Sequence, residues 1–516
     1  MKRSTSFLRY LAPTIGTVLM AGLIGCSNDT TTETESNTSD SSEQSEQSEE
    51  RYEIDIMTMH HQPEPPTPDS PVWQAIEDYT NTEMNIQFVP SASYEERFNI
   101  TLASGSLPHI MLTEQKSPSF INAVKDGAFW DLTDYLDDYE SLSQMNEIVK
   151  NNISIDGRIY GIYRSRPLGR NATIIRKDWL DNVGMEIPET IDEFYEALHA
   201  FTYDDPNQSG ADDTYGMVVT EYEGPWDIMQ TWFGVPNKWG EDSNGDLQPD
   251  FMTDEYREAL KFFKKLYDEG LVNEDFAVMD PAQWSTPIVN GEAGVQVNVA
   301  DEANRIQNKI WDANPDSEDV MEIFRSPEGP NGHFNLPTQG YAGMFAISTT
   351  SVKTEEELKK VLQFLDDLNS EEGQTLANNG IEGTHYNIVD GELDQVSLDD
   401  PNLMNDYEDL NQLQMFIPEN RFLKGNQTRL NILSDEIIAA NEEIVVGNPA
   451  APYISTVYAQ RGQQLDNIIK DARIQYIVGQ IDENGLDEAV ELWKRSGGDD
   501  YIAEINQLHD EAQAAQ

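Results

Sequence analysis

Tyr52-Glu-Ile54-Asp-Ile56, Ser70-Pro71-Val-Trp73-Gln-Ala-Ile76 and Met84-Asn-Ile86-Gln-Phe88 are three runs that settle the class of the folded part. In the first and third, apolar side chains alternate as they do along a strand. The middle run opens with Ser at an N-cap and Pro at the first helical position, then carries Trp73, Ile76 and Tyr79 at helical spacing. Strand, helix and strand within about forty residues form a βαβ unit, which predicts an α/β class with a sheet that is at least partly parallel. Outward from this unit the pattern continues in Ile110-Met-Leu112, Val295-Gln-Val297 and Met344-Phe-Ala-Ile347. Helices are predicted behind Thr190-Ile-Asp-Glu193 and Thr354-Glu-Glu-Glu357, both capping boxes, and from Tyr256 to Tyr267, which stops at Gly270.

The chain of 516 residues is longer than one hydrophobic core usually organises, so two or more lobes are expected. Against 33 Lys and Arg stand 94 Asp and Glu, a formal charge of −61. Such a surface repels nucleic acid and anionic lipid, and opposes an acidic ligand unless basic groups gather locally. Acidity spread over the whole chain fits a surface adapted to high salt or high external pH.

Cys26 is the sole cysteine. It follows a basic start, Met1-Lys-Arg3 with Arg9, and an apolar run from Tyr10 to Ile24 that is short and interrupted by Pro13, the pattern of a signal peptide over 1–25. Leu23-Ile24-Gly25-Cys26 resembles the bacterial lipobox, which implies acylation of Cys26 and tethering at the outer face of a bacterial membrane. Each buried CH₂ of an acyl chain contributes about 0.8 kcal/mol, so an anchor of two chains holds where one does so only marginally. The Ser-, Thr- and Glu-rich stretch 26–51 has almost nothing to bury and reads as a disordered spacer. No internal disulfide is available to the folded part.

The ordered set Leu102-Ala-Ser-Gly-Ser-Leu-Pro108, Asp156-Gly-Arg-Ile-Tyr-Gly161, Ile175-Arg-Lys-Asp-Trp-Leu180, Pro188-Glu-Thr-Ile-Asp-Glu-Phe194, Gly340-Tyr-Ala-Gly-Met344 and Gly380-Ile-Glu-Gly-Thr-His-Tyr386 resembles the family-1 extracellular solute-binding lipoproteins of ABC importers. Within that family it is similar to the oligosaccharide-binding branch that includes the alginate-binding proteins. The resemblance implies a two-lobe, type II periplasmic-binding-protein-like fold with a hinge and an interlobe cleft, one lobe from 52–163 and 338–395, the other from 164–337 and 396–516. It also implies a monomeric, non-enzymatic receptor that passes an oligosaccharide to membrane permease subunits. His109 stands where the family usually has an acidic residue.

Asp205, Asn207, Ser209, Asp212 and Asp213 flank Gly210 with the alternate spacing of a calcium loop. The alginate-binding relatives hold calcium at this place, which makes a structural calcium ion an expectation beside the plainer reading of an acidic turn. Asp242-Ser-Asn244-Gly245-Asp246 reads as a hairpin. Trp226, Trp232 and Trp284 lie in stretches whose Gly and Pro read as loops, and flat rings in loops suit the apolar face of a sugar. Core packing is the alternative for each. His61 follows the first strand, and Arg164, Arg166 and Arg170 stand at the first expected crossover, where they either pair a sugar carboxylate or offset surrounding acid. No catalytic motif is present, though paired carboxylates for glycoside cleavage are available anywhere in so acidic a chain, which keeps a surface polysaccharide-degrading lipoprotein as the rival reading.

Overall fold

A computed structural model describes residues 51–62, 64–389, 392–419, 421–425 and 427–515; Cys26, the leader 1–25 and the tether to residue 50 lie outside them. Two sheets and a hairpin are built from β1 (Tyr52–His60), β2 (Thr82–Pro90), β3 (Ile110–Thr113), β4 (Ile162–Ser165), β5 (Asn171–Arg176), β6 (Tyr215–Met217), β7 (Trp239–Glu241), β8 (Leu247–Pro249), β9 (Ala293–Val299), β10 (Met321–Phe324) and β11 (Tyr341–Ile347). The first sheet has the order β2-β1-β3-β11-β4 and the second β10-β5-β9-β6. β1 runs parallel to β2 from Tyr52 opposite Thr82 to His60 opposite Pro90, and parallel to β3, while β11 lies antiparallel between β3 and β4.

The helix Pro71–Thr80 joins β1 to β2 as the cap chemistry requires: the Ser70 hydroxyl accepts the Trp73 N–H, Pro71 fills the first turn, and Trp73 and Ile76 are buried. Both capping boxes form, at Ile191–Tyr203 and at Glu355–Asn369, and Asp242–Asp246 closes the β7–β8 hairpin with Gly245 in the left-handed region. Among the described residues no helix is long and apolar enough to cross a membrane.

Each sheet has its own core. The first gathers Ile54, Ile56, Trp73, Met111, Leu112 and Phe345. Tyr407, Leu410, Leu413, Met415 and Ile417 also pack there, although the expected division places them in the second lobe. Alternation along the second sheet separates two layers, with Ile175 and Met217 on one side and their chain neighbours Ile174 and Val218 on the other.

That layering corrects the reading of two tryptophans. Gly224-Pro225 opens the helix Gly224–Thr231, with Pro225 in its first turn, where a loop was expected. Helical spacing then turns Trp226, Met229 and Trp232 onto the sheet. Trp226 packs on Phe263 and Phe276 with centroids 4.9 and 5.4 Å away, and Trp232 meets Phe194 edge-on at 5.3 Å. Trp226 is 2% exposed and Trp232 0%, so neither offers a ring face to a sugar in this arrangement.

Candidate functional site

The chain passes between the two sheets from β4 to β5 and back from β10 to β11. Between β4 and β5 the Ser165 N–H donates to Met415 O (2.7 Å), the Arg166 N–H to Gly340 O (3.0 Å), and Leu168 O accepts the Thr338 N–H (3.0 Å). Asn441 donates its side-chain amide to Gly169 O (3.1 Å) and Asn171 O (2.8 Å), and Asn335 donates to Asn171 O (3.0 Å). Gly169 is required by close approach: a Cβ there would stand 2.2 Å from Ile438 O and 2.7 Å from Glu442 N on the helix Arg429–Glu442.

In open α/β sheets ligands bind beyond the carboxyl ends of the parallel strands. On the first lobe this is the end of β1. There the buried Asp409 carboxylate accepts the N–H groups of His61 (3.0 Å) and Gln62 (3.2 Å), fixing the backbone and leaving the His61 side chain exposed. Gln412, in the same short helix Glu408–Leu413, accepts from Arg164 Nη2 at 2.8 Å. His61 and Arg164, two residues singled out from the sequence, are thus brought to one segment.

Arg164 is electrostatically unusual. Its side chain is largely withdrawn from water, its buried Nε has no hydrogen-bond partner, and no carboxylate oxygen among the described residues lies within 4.0 Å of its nitrogens or those of Arg166. Burial, with Arg166 nearby, pushes its pKa down to about 10 against the opposing pull of the Tyr94 phenol and the Glu114 carboxylate. Arg170 is the contrast: its Nε and Nη2 both reach Asp301, at 2.9 Å each, so its charge is already taken.

On the second lobe the matching position is the turn after β6. Trp284, 8% exposed, donates its indole N–H to Val218 O (3.0 Å) and is edge-on to Tyr222 at 5.9 Å. Tyr222 is the ring that faces water, 55% exposed. Sequence reasoning passed over it, although Thr220-Glu221-Tyr222 directly follows the apolar run Met217–Val219 and therefore stands at a strand's carboxyl end.

The 205–213 loop closes on itself. Asp205 accepts the Gly210 N–H (3.1 Å), Asn207 Oδ1 accepts the Ser209 N–H (3.0 Å), and Asp213 Oδ1 accepts from Asn207 Nδ2 (3.0 Å) and Ser209 Oγ (2.9 Å). Asp212 joins no such bond among the described residues, and among them no group of three or more His, Cys, Asp or Glu side chains is placed to hold a metal ion.

Residues 63–375 match the family model described as bacterial extracellular solute-binding protein. The chain is 46% identical over 507 residues to lipoprotein LipO of Bacillus subtilis, covering 97% of this chain and 98% of that protein. It is 38% identical over 459 residues to the polygalacturonan/rhamnogalacturonan-binding protein YtcQ of the same organism, covering 88% and 90%. The fold is shared with alginate-binding protein AlgQ2, whose crystal structure without calcium ion superposes with a TM-score of 0.57 at 19% identity over 90% of this chain and 99% of that one.

Proposed function

The chain belongs to the bacterial extracellular solute-binding proteins, and from that premise we propose that it is a non-enzymatic receptor whose two lobes close on an oligosaccharide bearing carboxylate groups, for delivery to an ABC permease. The observation that carries the acidic character is Arg164. In a chain of charge −61, a largely buried guanidinium with no carboxylate within 4.0 Å among the described residues is a poor choice for stability and a good one for an anionic sugar. His61 on the first lobe and Tyr222 on the second offer the hydrogen bond and the ring face that complete such a site. YtcQ, by its name, binds polygalacturonan, a polymer of this chemistry. The reading is tested by incubating the protein with oligogalacturonates: a rise in melting temperature with no shortened products supports it, and product release at catalytic turnover overturns it.

The anchor and the calcium loop belong to the same proposal. Cys26→Ser is expected to leave the folded part unchanged and release the protein to the medium, as fractionation would show; retention at the membrane would place the anchor elsewhere. At the 205–213 loop a calcium ion would displace the Asn207 and Ser209 donors from Asp213 and draw on Asp205, Asn207, Ser209, Asp212 and Asp213, its chemistry being to pin the loop. Calcium is expected to raise the melting temperature of the parent and not of Asp205→Ala. An equal response, or none, makes the loop an ordinary turn.

A further inference from the structure

The second lobe holds a cavity of about 420 Å³ between the turn at Glu223–Asp227, the β7–β8 hairpin and the C-terminal helices Thr456–Ile477, Glu483–Trp493 and Asp499–Ala515. One wall is aromatic. Tyr458 and Tyr501 lie ring on ring, centroids 5.0 Å apart and 30° from parallel, and Trp239 meets Tyr501 edge-on at 5.0 Å. The opposite wall is polar and held by ion pairs. Arg473 reaches Asp227 at 2.6 Å and Glu223 at 3.0 Å, Lys238 reaches Asp227 at 3.3 Å, and Gln230 donates to the buried Asp250 at 3.1 Å.

The charges define the ligand. Each cation lining the cavity already has a carboxylate, the remaining one being Lys470, 3.9 Å from Glu223. A uronate entering here finds no free positive group, unlike at Arg164, and meets four carboxylates instead: Glu223, Asp227, Asp250 and Asp466. A cationic ligand meets Arg473 and Lys238. What the walls do offer is flat apolar surface facing fixed hydrogen-bonding groups, the pairing that suits a ring with one C–H face and a rim of hydroxyls. The volume lies within the range of small-molecule sites, and ion pairs that hold one another in place give the polar wall a fixed geometry.

We propose that this cavity is a second carbohydrate pocket, taking an uncharged sugar unit that packs against Tyr458 and Tyr501 and shares its hydroxyls with the Asp227, Lys238 and Asp250 wall. Asn448 and Ala450 form part of the rim, in a segment whose carbonyls also bind the first lobe: Asn448 O accepts from Asn151 (3.2 Å) and Ala451 O from Lys116 (2.7 Å). A sugar here therefore touches the strap that both lobes share. The proposal stands apart from the reading of the cleft, since it concerns other residues and a neutral sugar in place of an acidic one.

Saturation-transfer NMR on the full chain, with the methyl glycosides of glucose, galactose, mannose, xylose, rhamnose and arabinose as probes, tests it. Transfer to at least one glycoside is expected. It should persist with trigalacturonate in excess and in Arg164→Gln, and fall at least tenfold in Tyr458→Ala, a residue 41% exposed, with a circular-dichroism melt checking that the variant folds. Asp250→Asn, which keeps the shape of the wall, should weaken it as well. The proposal is overturned if none of the six glycosides shows transfer, if trigalacturonate abolishes it, or if Tyr458→Ala retains it. Failure of trigalacturonate to bind while a glycoside does would count against the cleft reading alone.

Discussion

Arg164→Gln is expected to weaken binding of an oligogalacturonate by about 30- to 150-fold, the equivalent of losing about 2 to 3 kcal/mol of charge-assisted hydrogen bonding. The same substitution should leave the melting temperature of the ligand-free protein level or slightly raised. A largely buried cation with an unpartnered Nε costs free energy until an anion arrives, and glutamine removes that cost while keeping a hydrogen-bonding amide near Gln412. Titration calorimetry with the acid and with its methyl ester separates the two effects: the parent should prefer the acid, and the variant should lose most of that preference. An ester bound as tightly as the acid by the parent would show that Arg164 does not read charge. Raising the salt should weaken the parent's binding less than for a surface pair, since the group is shielded from the bulk ions.

Trp232→Ala is expected to act on stability instead. Emptying a site of zero exposure beside Phe194 should cost about 3 to 5 kcal/mol. Trp232→Phe should cost less, because the indole N–H has no partner to lose. Denaturant melts report the difference, and binding measured well below the transition should be unchanged in either variant. A large loss of affinity with an unaltered melt would restore Trp232 to the ligand.

The two tryptophans show where sequence reading stops. The βαβ unit, both capping boxes and the Asn244-Gly245 hairpin were legible because their signals are local: an alternation, a reciprocal cap, a turn dipeptide. Gly224-Pro225 gave the same dipeptide signal with the opposite meaning, since proline in a first helical turn and proline in a loop look alike until the apolar spacing behind it is weighed. Trp284 reads from the sequence as a loop residue able to stack on a sugar, but its ring is buried edge-on against Tyr222, which is the one that faces water. His61 and Arg164 could be singled out one at a time; that they meet at the Glu408–Leu413 helix depends on Asp409, 348 residues from His61, and on Gln412, 248 residues from Arg164. Nothing short-range encodes such a meeting. The insertion of β11 antiparallel between β3 and β4 is of the same kind, being a pairing across more than one crossover.

Gly169 sets the kind of machine this is. With Ile438 O 2.2 Å from where a Cβ would be, and Asn441 gripping the carbonyls of Gly169 and Asn171, the crossing strand has no room to slide along the helix Arg429–Glu442. The helix packs on the second sheet through Leu430, Leu433 and Ile437, so the crossing segment is seated on one lobe and closing is expected to turn about the residues on its other side, toward β4. If closure runs through that one angle, a sugar too long or too short for the gap is penalised as a wrong angle at the joint, and length selection becomes a property of the joint as much as of the walls that touch the sugar.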